Sequence, residues 1–321
     1  MINICLDDKL GNLWDVSSLV TDVTWKTSRI GSPSSLEFTL VKGGLYESRS
    51  FSYSNGDIVR LRFKDIDIFY GYIFIVDNGK DEAVKITAYD QIRYLMATDT
   101  YVFSGVTAAD IIKRIAEDFG LRLGRIDTPD YVIPRMVEDG QKLIDIIDKA
   151  LTLTLIHSGD NYVLFDDFGV LSLRLMDDLL VDFVVGDGSL MYNYSFKQSI
   201  DQDTYNRIKL VQDNKDSGGR DVYIAQDSAN VAKWGMLQLY QKVDDDQNAA
   251  QINELLTTLA TLKNRETKTL QIDAIGQPNI RAGCYVSIII EEFGINQPFV
   301  VESCTHSFSG SHTMSLELKV I

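Results

Sequence analysis

The chain has 321 residues, of which 45% are hydrophobic and only 5 are proline, and its mean hydropathy is −0.05. This length and composition predict a globular protein of about two or three domains. No apolar run approaches the roughly 20 residues that cross a bilayer, and the N-terminus lacks the pattern of a signal peptide. We therefore expect the protein to be made and folded in a cytoplasm.

The formal charge is −15, from 31 basic and 46 acidic residues. Such a balance argues against binding to nucleic-acid phosphates, which requires clustered Lys and Arg. The three cysteines, Cys5, Cys284 and Cys304, form neither a C-x-x-C pair nor a disulfide framework, which is typical of a reducing compartment. We expect them to be small buried side chains.

Residues 1–100 predict a β module. Apolar and polar residues alternate in three segments, SSLEFTLV (34–41), DIVRLRF (57–63) and AVKITAY (83–89), which is the period of a strand with one buried face. The segments YSNGD and DNGKDE supply turn residues. A small barrel or sandwich is the expected fold of this region.

Residues 101–192 predict a middle α+β unit. A first helix is indicated in 105–120, with Thr107 as its N-cap and Gly120 as its end, and a second in 138–151. The segment RIDTPDYVIPRM between them holds two of the five prolines, which predicts a loop or an edge strand. The following segment, from Thr154 to Met176, is interpreted as strands joined by turns.

Residues 193–321 predict a second β module that contains two helices. Helices are expected in DSANVAKWGMLQLYQ (227–241) and in DQNAAQINELLTTLATLKNR (246–265), the second capped by residues of VDDDQN. The last fifty residues return to strands. The fold class expected is therefore mostly β, α+β, with two related β-barrel modules flanking the middle unit.

The two β regions share a spacing. Gly56, Val59 and Leu61 match Gly283, Val286 and Ile288, and each set is followed by a long apolar strand, a polar turn and a final alternating strand. With a three-residue difference in the first connection, the later strands align so that Cys304 and His306 correspond to Phe74 and Val76, and His312 corresponds to Glu82. Two similar modules are thus predicted at the ends of the chain.

The segment around Cys304, His306 and His312 has three interpretations. A C-x-H pair on one strand face is compatible with a metal ligand set, or with a Cys-His nucleophile. Its apolar counterparts in the repeat favour packing instead, and the spacing is not that of a zinc site. We therefore expect a structural role, with no metal, cofactor-binding or catalytic residue in this segment.

Acidic segments offer a further candidate site. FDDFG (165–169) and LMDDLLVDF (175–183) contain carboxylates suited to Mg²⁺ or Ca²⁺. The D-F-G of the first segment also occurs in protein kinases, but the other kinase motifs are absent from the sequence. We therefore favour a turn for the first segment and a solvated face for the second. The first predicted helix, at 115–121, also resembles the I-A-x-x-x-G-L segment of LysM peptidoglycan-binding modules, although amphipathic packing explains it more simply.

The order of several segments resembles the XkdQ-like proteins of contractile phage tails and phage-derived bacteriocins. The segments are KITAYDQIRYLM, SGVTAADIIKRIAEDFGL, TYNRIKL, AKWGMLQ and the terminal SHTMSLEL, and the resemblance extends over about residues 55–321. This family is related to the late-control D proteins and the baseplate hub. The N-terminal fifty residues carry little of the pattern.

The resemblance implies a non-enzymatic baseplate hub protein that joins the tail tube to the central spike. It implies a homotrimer whose six barrels surround an axis, with tube, spike and wedge proteins as partners and the assembled particle as its location. Cofactors, sequence-specific nucleic acid and membrane insertion are not implied. A peptidoglycan-binding or cell-wall-hydrolysing tail module is the alternative, motivated by the LysM-like helix and the acidic segments.

Overall fold

The computed structural model describes residues 2–42, 51–80, 83–214, 218–243 and 247–319. Contacts group the chain into two compact units. Unit 1 is Met1–Ser195 with Gln271–Leu318, and unit 2 is Phe196–Leu270 with Lys319–Ile321. The finer division at residues 100 and 192 stays a prediction.

In the first region of unit 1, the regular elements within the described parts of residues 2–89 are strands. They are β1 (Ile2–Asp7), β2 (Leu13–Asp15), β3 (Val20–Ser28), β4 (Ser35–Val41), β5 (Ile58–Phe63), β6 (Ile66–Asn78) and β7 (Ala83–Tyr89). The predicted alternation is confirmed, because Leu36, Phe38 and Leu40 are buried while the residues between them are half-buried. These inward residues form one apolar core with those of β1, β5, β6 and β7.

The middle region follows with two helices and six strands. Its elements are β8 (Thr98–Val106), α1 (Ala108–Asp118), β9 (Leu123–Ile126), β10 (Ile133–Lys142), α2 (Leu143–Ser158), β11 (Tyr162–Asp166), β12 (Leu171–Leu175) and β13 (Leu180–Gly186). Short 3₁₀ turns occupy Gln91–Met96 and Met176–Leu179. The apolar faces of α1 and α2 pack with β8, β10, β11 and β12 in a second core.

The two predicted helices are present, but residues 138–142, which we expected to begin the second helix, belong to β10. Local signals explain both ends of α1. Thr107 and Asp110 form a reciprocal capping box at the start of α1, and Gly120 has a left-handed φ of 62° just beyond its end. The strand predicted from Thr154 is wrong up to Ser158, because α2 continues there. The Thr154 hydroxyl donates to the Ala150 carbonyl, which satisfies this buried polar group within the helix.

Unit 2 begins within β14 (Met191–Ser199) and contains β15 (Arg207–Asn214), β16 (Gly219–Gln226), α3 (Ser228–Trp234), β17 (Gln238–Lys242) and α4 (Ala249–Lys263). The order in its sheet is β16, β15, β17, and α4 contacts β15 and β16. The helix predicted over 227–241 is wrong in its second half. Gly235, with φ of 78°, ends α3 and lets the chain pair as β17.

The cap predicted for the last helix is confirmed in position but differs in residue. Asn248 accepts from the backbone N–H of Gln251, and the Gln251 side chain accepts in return from the Asn248 N–H. Asp244, Asp245 and Asp246, which we expected to contribute, lie outside the described residues.

The last strands are β18 (Thr267–Ile275), β19 (Tyr285–Ile290), β20 (Ile295–Ser307) and β21 (Thr313–Lys319). They belong to the same 13-stranded sheet as β1 to β7, because β20 pairs antiparallel with β3. The predicted class, mostly β with α+β organisation, is confirmed. Closure of the two β regions into barrels stays a prediction.

The predicted likeness of the two β regions is visible in their strands. The strands β5, β6 and β7 have 6, 13 and 7 residues, and so do β19, β20 and β21. Gly56 donates to the Ile73 carbonyl at 2.8 Å, and Gly283 donates to the Val301 carbonyl at the same distance. The same hydrogen bond therefore starts both repeats.

The predicted register of the long strands is wrong at this hydrogen bond. It placed Cys304 opposite Phe74, which would align Ile73 with Ser303, whereas the backbone bonds align Ile73 with Val301. The predicted and observed alignments differ by two residues. Because this number is even, both alignments place the same residues of β20 on the same face of the sheet.

Candidate functional site

Cys304, His306 and His312 lie together at one end of the last β region. Cys304 and His306 share a face of β20 and are completely buried, and His312 lies in the turn before β21. Trp25, which is directly opposite His306 on β3, stacks on its ring with centroids 5.0 Å apart. The fold therefore brings the three residues together.

Hydrogen bonds fix the protonation of both imidazoles. His306 Nε2 lies 2.8 Å from the Ile280 carbonyl oxygen, which can only accept, so this nitrogen carries the hydrogen. His306 Nδ1 must then accept, and His312 Nε2, 2.9 Å away, donates to it. Burial lowers the pKa of His306 to about 4, and burial with the nearby Lys64 lowers the pKa of His312 to about 4. Both rings are neutral at pH 7.

This geometry does not activate the thiol. Cys304 Sγ is 3.1 Å from His306 Nε2, but that nitrogen already donates to a carbonyl and cannot accept the thiol proton. Burial raises the pKa of Cys304 well above its usual range. The pair therefore lacks the thiolate that nucleophilic catalysis needs.

The cluster also lacks the spacing of a metal site. A zinc ion bound by two imidazoles at about 2.0–2.1 Å keeps their nitrogens more than 3 Å apart, whereas His306 and His312 are in direct hydrogen-bond contact. Within the described ranges, no group of three or more His, Cys, Asp or Glu side chains is arranged to hold a metal ion. His312 instead stacks on Phe308, with centroids 4.4 Å apart.

A buried polar network, which sequence reasoning missed, joins three parts of unit 1. Asp90 follows β7, Asp166 ends β11, and Arg281 precedes β19. Asp90 and Asp166 are 1% and 6% exposed. The Arg281 guanidinium donates to the Asp166 backbone carbonyl at 3.0 Å and lies 4.1 Å from the centroid of the Phe165 ring.

The two carboxylates are satisfied mainly by local donors. Asp90 accepts from the backbone N–H groups of Ser34 and Ile92, each at 3.0 Å, and Asp166 accepts from the side chain of Gln91. Burial raises the pKa of Asp90 to about 7, and the Asp166 carboxylate adds to this shift. Burial also raises the pKa of Asp166. This network holds FDDFG as a turn, with Phe168 and Gly169 at positive φ.

The other predicted sites contain packing or exposed residues. In LMDDLLVDF, Met176 is fully buried, Asp177 is exposed, and Asp178 lies 4.0 Å from the Arg174 guanidinium. The LysM-like helix, α1, places Ile111, Ile112 and Ile115 in the core. None of the described helices has the length and apolar character needed to cross a membrane.

Comparison with solved structures defines the class of fold. The chain is similar to the 43 kDa tail protein of prophage MuSo2 from Shewanella oneidensis, with a TM-score of 0.71 over 98% of both chains at 14% identity. The fold is thus that of a prophage tail protein.

The family follows from sequence comparison. The family model described as YQBQ-like matches residues 23–319. The chain is 34% identical over 308 residues to the protein YqbQ of Bacillus subtilis (strain 168), covering 94% of this chain and 92% of YqbQ. It is 33% identical over 303 residues to the phage-like element PBSX protein XkdQ of the same strain, covering 92% and 91%. The chain belongs to the YQBQ-like family, and the resemblance to XkdQ is confirmed.

Proposed function

We propose that the protein is a structural hub protein of the baseplate of a contractile phage tail or tail-like particle. In this role it joins the tail tube to the central spike as a homotrimeric ring. The observation that carries the proposal is the repetition of β5–β7 by β19–β21 within one sheet. Two related modules in each of three chains surround an axis with six similar modules, which suits a connection between sixfold and threefold assemblies.

The similar proteins support this role. One of them belongs to the phage-like element PBSX, and another is named as a prophage tail protein. The proposed partners are a second and third copy of the chain, the tail tube protein, the central spike protein and wedge proteins. The protein would then be part of the baseplate, after assembly in the host cytoplasm.

The buried chemistry supports a non-enzymatic role without a cofactor. The thiol of Cys304 is protonated and enclosed, and the imidazoles of His306 and His312 bond to each other. Within the part of the chain that the structure describes, the buried carboxylates Asp90 and Asp166 accept from backbone and side-chain donors of their own unit. These groups stabilise the fold rather than face a substrate.

Deletion of the gene in the organism that produces the particle tests the proposal. We expect electron microscopy to show no complete tails, and expression of the wild-type chain from a plasmid to restore them. Antibody labelling of restored particles should mark the end of the tube that carries the spike. Normal tails in the deletion strain would refute the proposed function.

A further inference from the structure

The net negative charge of the protein comes from one unit. Unit 1 contains 20 of the 31 basic residues and 35 of the 46 acidic residues, so it carries the whole formal charge of −15. Unit 2 contains the remaining 11 basic and 11 acidic residues and is neutral. Copies of unit 1 therefore repel one another, and any close assembly of copies needs local attraction to offset this repulsion.

Unit 2 contains a basic cavity. The cavity has a volume of about 410 Å³ and lies at the C-terminal ends of α3 and α4, beside the start of β18. Its lining includes five cationic side chains, which are Lys233, Lys263, Arg265, Lys268 and Lys319. Two carboxylates, Asp203 and Glu266, also line it. The formal charge of the lining is thus positive in a neutral unit.

The carboxylates neutralise only part of this charge. Asp203 lies 3.3 Å from Lys263 and 3.7 Å from Lys319, and Glu266 lies 3.6 Å from Lys233. Within the described ranges, neither Arg265 nor Lys268 has a carboxylate at ion-pair distance. Arg265 donates through Nε to the Leu262 carbonyl, which leaves its terminal nitrogens for another acceptor.

The cavity suits carboxylates on a polypeptide. An aromatic wall is present, because Trp234 lines the cavity with the Lys233 ammonium 5.0 Å from its ring centroid. The two helices present their C-terminal ends, whose partial negative charge opposes a doubly charged phosphate more than a singly charged carboxylate. Carboxylates beside an aromatic side chain match this combination.

Unit 1 exposes a segment with the complementary chemistry. Glu291, Glu292 and Phe293 form the turn between β19 and β20, and all three are exposed, with Phe293 at 46%. The equivalent connection in the first repeat, between β5 and β6, is only Lys64 and Asp65. The repeated fold therefore does not require the longer acidic turn.

The turn is held in place within unit 1. Asp187 accepts from the Glu291 backbone N–H at 2.8 Å, and Tyr194 donates its hydroxyl to the Glu292 carboxylate. Phe293 packs edge-on against Tyr194, with centroids 5.9 Å apart. A turn ordered in this way loses little conformational entropy on binding.

We propose that the Glu291–Phe293 turn of one copy docks into the basic cavity of a second copy. Glu291 and Glu292 pair with Arg265 and Lys268, and Phe293 contacts Trp234. The contact joins different surfaces of the two copies, so repeating it generates a closed ring when the rotation closes. The inference rests on the proposed assembly of this chain with itself, and it specifies the surfaces that meet.

Charge reversal on each surface tests the contact in the purified full chain. One variant carries Glu291→Lys and Glu292→Lys, and a second carries Arg265→Glu and Lys268→Glu. Sedimentation at low salt should show self-association of the wild type that weakens in high salt, and at least about tenfold weaker association for each variant. The chain with all four substitutions should associate again, because the reversed charges attract.

A matched control separates this contact from a general charge effect. Lys197→Glu with Lys209→Glu changes the charge of unit 2 by the same amount away from the cavity and should leave association unchanged. Circular dichroism checks that every variant is folded. A monomeric wild type, equal association of all variants, or failure of the fourfold variant to recover would overturn the inference. The proposed function fails on a different result, which is normal tails without the gene.

Discussion

The strands β5 to β7 and β19 to β21 repeat one frame with different attachments. Both sets have the same lengths and start with a glycine at positive φ, Gly56 at 94° and Gly283 at 89°. Two residues before the glycine, the first set has Ser54, which bonds locally to Asp57, whereas the second has Arg281, which reaches the middle region. The frame thus depends on alternation and glycine, while the preceding residue determines what each copy is attached to.

Removal of the Arg281 guanidinium should have the largest effect on stability. We expect Arg281→Met to lower the free energy of unfolding by about 3 kcal/mol at pH 8, because it removes the donor to the buried Asp166 carbonyl and the positive charge that favours the ionised forms of Asp90 and Asp166. Urea denaturation measures the change. Ser54→Ala, the matched change in the first repeat, should lower it by less than about 1 kcal/mol.

The loss of stability caused by Arg281→Met should depend on pH. The folded-state pKa of Asp90 is about 7, above its usual value, so the folded form holds this proton between about pH 4 and 7 and loses stability as the pH rises through that range. Without Arg281 the pKa rises further. The destabilisation by Arg281→Met should therefore be smaller at pH 5 than at pH 8, and a difference of the opposite sign would contradict this account.

Substitution of Gly56 and Gly283 by alanine should distinguish the cost of backbone strain from the cost of steric crowding. A Cβ at Gly56 would meet nothing within 4 Å, whereas one at Gly283 would lie 2.6 Å from Val163 Cγ2. Gly56→Ala should lower stability by about 1–2 kcal/mol through its positive φ alone. Gly283→Ala should lower it by about 1 kcal/mol more, because a packed side chain must move. If both variants lower the melting temperature equally, the structure around Gly283 accommodates the added methyl group without cost.

Local signals in the sequence predicted much of the fold. Thr107 and Gly120 define the ends of α1, and the spacing after Gly56 and Gly283 located both repeats, because these features depend on neighbouring residues. The strand expected at Thr154 failed since tertiary packing extends α2 over a segment that also alternates. The polar network was missed because Asp90, Asp166 and Arg281 come near one another only in the fold. Its one signal was Arg281 itself, the single charged residue between 274 and 290.

His306 should make the last repeat sensitive to acid. Its folded-state pKa of about 4 lies below its usual value, so its stabilising effect is complete above about pH 6.5 and is lost as the pH falls toward 4. His306→Leu should lower stability by about 1–3 kcal/mol at pH 7, since the Ile280 carbonyl loses its donor. The difference in the free energy of unfolding between this variant and the wild type should become smaller as the pH is lowered from 7 toward 4. A constant gap would mean that the imidazole does not titrate in this range.

Substitution of Cys304 should have only a small effect on stability, and it tests directly whether this residue packs or reacts. We expect Cys304→Val to change stability by less than about 1.5 kcal/mol, because the site is fully buried and the volumes are similar.

In a titration of the native protein with a thiol reagent, Cys5, which is partly exposed, should react before Cys284 and Cys304. Cys5→Ser removes the first reacting thiol and serves as the control. Fast modification of Cys304 in the folded protein would require a thiolate at this position. That result would contradict the assignment of His306, whose N–H donates to the Ile280 carbonyl and therefore cannot accept the thiol proton. Slow modification that becomes fast only on unfolding is the result that a packed strand residue predicts.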